Sequence, residues 1–151
     1  MSAETTPATA GRRRPVTRWL PLAFVVVVVA LGVAQILPLP RTADVAVPPA
    51  DTTAEEVVRA HLEAIDAHDC GTALELAAPS FATTTESMCR DAASLTTTDL
   101  QTVGTGQVFA DFDVDWRFLA EDVSIPEGGF GWTYYLDRGA DGWRIEDAGN
   151  G

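Results

Sequence analysis

Three aspartates, Asp111, Asp113 and Asp115, alternate with Phe112 and Val114, and two cysteines, Cys70 and Cys89, stand nineteen positions apart. With His61, His68, Tyr134 and Tyr135 these are the side chains whose types suggest chemistry. The Asp-x-Asp-x-Asp run matches the start of a calcium loop. The sixth position of such a loop must be Gly for its turn, and here it is Trp116. Alternate residues of a strand lie nearly 7 Å apart, so these carboxylates cannot wrap one ion. They are expected to face solvent or a partner. His61 and His68 are seven apart and form no H-x-x-x-H or C-x-x-C cluster with the cysteines, so no metal site is expected. A redox pair normally has two intervening residues rather than eighteen. A structural disulfide between Cys70 and Cys89 is the expected alternative, provided that this part of the chain lies in an oxidising compartment.

The elements that must position these residues follow from periodicity. Val108, Ala110, Phe112, Val114, Trp116 and Phe118 alternate with Phe109, Asp111, Asp113, Asp115, Arg117 and Leu119, the strongest strand pattern in the chain. The first set must be covered by helices. The second is too charged for a core yet carries large apolar residues at both ends, the make-up of a recognition surface, to which Tyr135 adds. Thr-rich residues 95–103 read as a preceding strand, with Gly104-Thr105-Gly106 as the turn. Phe130, Trp132, Tyr134 and Leu136 alternate in a further strand, and Trp143 to Glu146 close the sheet. Upstream the period is helical. Residues 51–69 carry Thr53 and Glu56 at capping-box spacing, with Thr52 and Glu55 as another register. Ala54, Val57, Val58, His61, Leu62 and Ile65 form the apolar face, and His61 is expected at its covered edge. Short helices are expected over 72–78 and 86–92, with Thr83 to Thr85 capping the second. A helical half followed by sequential strands makes an α+β domain of about three helices on a curved antiparallel sheet.

Helix, short helix and a curved sheet ending in GWTYYLDRGADGWRIEDAG resemble the nuclear transport factor 2-like or cystatin-like cone fold, over about residues 51–148. With the segments before it, the chain is similar to small actinobacterial membrane-anchored proteins, including those associated with mammalian-cell-entry transport systems. The resemblance implies a cone whose interior is filled or holds a ligand. Enzymes of the family set an Asp or His base opposite a Tyr or Asp donor. In that reading Asp99 and Tyr134 are the residues that would line a pocket. No motif links them, no cofactor is implied, and a non-catalytic role is expected.

Before the domain, Trp19 to Leu37 hold no charged side chain. As a helix this stretch would reach roughly 28 Å, against roughly 30 Å of bilayer hydrocarbon. It is expected to be a transmembrane helix, an uncleaved signal anchor, since Gly32-Val33-Ala34 makes a weak cleavage site. Arg12, Arg13, Arg14 and Arg18 precede it and would hold residues 1–18, a disordered tail, in the cytoplasm. Residues 38–50, with four prolines, then form a spacer to a domain at 51–148 outside the cell membrane, where the cysteines would oxidise. The chain carries a net charge of -12, and residues 51–151 hold 5 Arg against 20 acids, net -15. That charge excludes nucleic acid as a partner. The expected partners are the lipid bilayer through residues 19–37 and a protein or second copy through the charged sheet face. The function expected is an anchored accessory or interaction module of an envelope or transport assembly, with a small apolar-ligand binder or enzyme as the alternative.

Overall fold

The first helix, α1 (Leu20–Ile36), is apolar and exposed, from Phe24 at 70% to Val33 at 49%. It has 17 residues, so it reaches about 25 Å, and Leu37 has already left it in a bend. Among the described residues no helix is long and apolar enough to cross a membrane. The expectation of a transmembrane helix over residues 19–37 is therefore corrected, and with it the single-pass signal anchor. The computed structural model describes residues 20–37, 39–117, 120 and 126–150. Arg12, Arg13, Arg14 and Arg18, like Leu119, lie outside them. The chain divides into two units at Ile36 and Leu37, and the second holds the folded domain.

Helix α2 (Ala54–Asp66) starts at the Thr53 capping box. Thr53 Oγ1 accepts from Glu56 N at 3.2 Å, and the Glu56 carboxylate accepts from Thr53 N at 3.0 Å. Two of the four orphan donors of the helix start are thus satisfied. Its buried face includes Val57, Val58, His61, Leu62 and Ile65, and Glu55, Arg59 and Glu63 face outward. His68, in the left-handed region at φ 53, turns the chain into α3 (Cys70–Leu76). That helix starts two residues before the expected 72, because Asp69 caps it by accepting from Thr72 N. Helix α4 (Ala82–Asp91) begins four residues before the expected 86. Thr83 to Thr85 lie inside it rather than capping it, and Thr85 is buried. Cys70 and Cys89 form a disulfide, Cα to Cα 5.7 Å, which ties the start of α3 to the last turns of α4.

The sheet follows without a break: β1 (Ala92–Gly104), β2 (Gln107–Trp116), β3 (Gly128–Gly139) and β4 (Gly142–Gly149). The order is β1-β2-β3-β4 with every pair antiparallel, a meander. Val108, Ala110, Phe112 and Val114 of β2 are buried with Trp132, Tyr134 and Leu136 of β3, and α2 packs against this face. The domain is α+β, with the core between helices and sheet. Gly106 turns β1 into β2 at φ +66, and its carbonyl accepts from Leu136 N at 2.7 Å. A Cβ there would run into the Leu136 carbonyl oxygen, which is backbone and cannot step aside. Gly106→Ala is expected to lower stability by about 2 kcal/mol or more, read as a shift of the thermal or urea midpoint.

Residues 39–49 form neither helix nor strand, a turn follows at Ala50, and the part from 41 to 50 lies on the domain. Thr42 N donates to Ala67 O at 2.9 Å, Val45 N to Asp69 Oδ2 at 3.0 Å, and Thr72 Oγ1 to Val45 O at 3.2 Å. Asp69, 2% exposed, also takes an ion pair from Arg41. Burial would raise its carboxyl. The hydrogen bonds from Val45 and Thr72 and the charge of Arg41 outweigh that and hold it below the ordinary carboxylate value. The strap is thus pinned where α2 hands over to α3.

Candidate partner surface and the domain interior

The alternation of β2 sends Phe109, Asp111, Asp113 and Asp115 to the sheet face away from the core. Their neighbours are set by register. Asp111 stands between Asp99 of β1 and Gly131 of β3, and Asp113 between Thr96 and Gly129. Like charges directly opposite one another destabilise a sheet, so Asp99 and Asp111 carry a standing cost. Asp115 accepts from Ser94 Oγ at 2.9 Å, and Asp99 from Gln101 Nε2 at 2.6 Å. Asp111 and Asp113 take part in no ion pair among the described residues. The two glycines opposite them matter. A Cβ at Gly131 would meet Phe109 Cζ at 2.6 Å and Asp111 Oδ1 at 2.8 Å, and one at Gly129 would meet Asp113 Oδ1 at 3.1 Å. Their bare backbone leaves a shallow hollow of about 200 Å³, bounded by Thr98, Asp111, Asp113 and Phe130.

The other expected members of this face are less gathered. Tyr135 pairs with Gln107 at the far end and is 38% exposed. Arg117 donates its backbone N–H to Asp91 O, and its guanidinium reaches Arg90 O at 3.4 Å. Leu119 is outside the described residues.

The interior is built differently. Tyr134 is fully buried, while Asp99 is exposed on the edge strand β1, so these two are not brought together. Tyr134 meets Phe81 and Trp132 edge-on, with ring centroids at 6.3 and 6.1 Å. His61 lies 6.1 Å from the Tyr134 ring and 6.0 Å from that of Phe81. It is 0% exposed rather than at a covered edge. One ring nitrogen, Nε2, shares a hydrogen bond of 3.2 Å with Thr85 Oγ1, while Nδ1 and the Tyr134 hydroxyl have no partner among the described residues. Burial pushes the imidazole down to about 3 and the phenol above its ordinary value. Both are therefore neutral at pH 7, and they are sealed from solvent. An imidazole in that position can serve packing but cannot take a proton from a substrate outside. His61 sits four residues before Ile65 and three after Val58, and that spacing was the signal for its burial. His68 is half-buried at the α2–α3 turn, and its Nδ1 too lacks a partner. No group of three or more His, Cys, Asp or Glu among the described residues is placed to hold a metal ion.

No family model matches this chain, and no curated protein matches it. Among solved structures it is similar to the solution structure of a SEC-C motif containing protein from Rhodopseudomonas palustris. The two are 13% identical with a TM-score of 0.42, over 65% of this chain and 80% of that one. A likeness at that score carries no argument about fold or function.

Proposed function

We propose that the domain is a non-catalytic extracytoplasmic accessory module that captures a protein partner on the outer face of its sheet. The observation that carries this reading is the hollow over Gly129 and Gly131, where Asp111 and Asp113 stand without an ion pair among the described residues and the Phe109 ring lies over Gly131. A basic side chain, Arg above all, suits it: the guanidinium meets two carboxylates and its plane can lie on an aromatic ring. Such a partner would also relieve the repulsion between Asp99 and Asp111. The disulfide supports an oxidising compartment. The exposed apolar helix α1 supports contact with a lipid surface. Three helices against one face of a meander support the resemblance to the nuclear transport factor 2-like cone. The packed interior around Tyr134 counts against an enzyme or an apolar-ligand binder.

Asp113 is exposed, so Asp113→Arg is expected to change stability by no more than about 0.5 kcal/mol. Capture of partners from the native envelope, or self-association by sedimentation, is expected to fall at least tenfold, because the contact gains a like charge. Unchanged capture and unchanged sedimentation, with the same melting curve, would remove this face from the function.

A further inference from the structure

A second concavity lies at the other end of the domain, between the strap and the β3–β4 turn. It measures about 310 Å³, roughly ten waters' worth of space. Val57 and Leu76, each 2% exposed, give it an apolar floor, and Val47 and Pro48 of the strap form one wall. The opposite wall is the turn that begins β4. Gly142, at φ +102, brings that turn so close to the strap that a Cβ would stand 3.0 Å from Ala50 Cα. The cleft is therefore a built feature of the fold, with both walls held by the domain.

Its charges are of both signs. Arg144 lines it half-buried and has no ion pair among the described residues, although the domain carries four acids for each arginine. Asp137 stands opposite Arg144 in the strand register, yet the two form no ion pair. Glu75 and Asp141, both exposed, line the same cleft and are likewise free of ion pairs among the described residues. A guanidinium without a carboxylate is a receptor for one. A bare anion, however, would meet Glu75 and Asp141 as well, and a bare cation would meet Arg144. A ligand with one group of each sign satisfies all three.

We propose that this cleft binds a small zwitterion of amino-acid size, its carboxylate on Arg144, its ammonium toward Glu75 and Asp141, and an apolar side chain over Val57 and Leu76. The inference is independent of the partner face, which lies on other strands' outward residues. The probes are L-leucine, N-acetyl-leucine, which keeps only the carboxylate, and leucine amide, which keeps only the ammonium. Each is titrated into the full-length protein while the Trp143 indole N–H and the β4 amides are followed by NMR. Leucine is expected to shift these signals saturably, with both derivatives at least tenfold weaker. Arg144→Ala and Glu75→Gln, each with an unchanged melt, are expected to weaken leucine at least tenfold. No saturable shift with leucine, equal binding of the three probes, or leucine binding that both variants leave untouched would overturn the proposal.

Discussion

Lowering the pH from 6.5 to 4.5 is expected to remove about 2–3 kcal/mol of folding stability, and His61 is the cause. Its imidazole is driven down to about 3 in the fold because it is wholly buried with no carboxylate to receive a charge. In the unfolded chain it titrates near 6.5. Between those values the unfolded chain takes up a proton that the folded chain refuses. Stability is therefore complete above about 6.5 and is lost as pH falls toward 3, at roughly 1.4 kcal/mol per pH unit. Asp69 and Glu56, whose carboxyls are held low in the fold, act in the same direction, but only below their ordinary values of 3.8 and 4.5. The interval from 6.5 to 4.5 thus isolates the histidine. Urea denaturation at half-unit pH steps measures the slope. His61→Leu alone would strand the buried Thr85 hydroxyl, so the informative variant is His61→Leu with Thr85→Val. It is expected to flatten the slope over this interval while keeping a cooperative transition. A variant as pH-sensitive as the parent would mean that another group takes up the proton.

Removing the disulfide is expected to cost about 3 kcal/mol, the value for a loop of this length. In a domain of about 100 residues that corresponds to a drop of roughly 10–20 °C in melting temperature. The bond matters here because the helices that it joins, of 7 and 10 residues, are too short to hold their own structure in water. Cys89 is 2% exposed, so Cys70→Ala with Cys89→Ala is preferable to serine, which would bury a hydroxyl. Melting with and without reductant, with intact mass after alkylation, reads both the bond and its effect. A double variant within about 1 kcal/mol of the parent would show that the two helices are held by packing alone.

Much of this fold was legible because it is written in local pattern. The strict alternation from Val108 to Trp116 gives both faces of β2, and of the two capping registers the sequence offers for α2 the fold uses Thr53 with Glu56. The cysteine pair follows from elimination of the metal and redox alternatives together with an expected oxidising compartment. What was not legible depends on contacts across sequence. Nothing near Asp69 announces that Arg41 and Val45, more than twenty residues earlier, will use its carboxylate, so the strap reads as a free spacer. Histidine is usually half-covered, which points His61 to an edge, although its helical position is that of a core residue. Tyr134 attracted a pocket reading through its hydroxyl. Its register with Phe130, Trp132 and Leu136 had already placed it among the buried residues. The apolar run before the domain is uncharged over nineteen residues, but its backbone bends at Leu37, inside that run. Composition measures apolarity and does not fix where the backbone bends.

The position of Ile145 bears on how the domain comes into being. This residue is fully buried in β4, accepts the Ala78 N–H at 2.8 Å, and pairs with Leu136 on its other side. It therefore joins the α3–α4 connection to the sheet, and within the domain it is made after the helices and the first three strands. Until it arrives, the α3–α4 connection has no strand to join, whatever packing α2 has gained on the first three strands. The cysteines emerge long before it, so oxidation can precede closure, and with two cysteines in the chain there is no wrong intramolecular pairing to undo. Assembly thus runs from a covalent clasp to a final strand. A growing chain halted short of residue 145 should be as open to protease as an unfolded one, even with its disulfide already made.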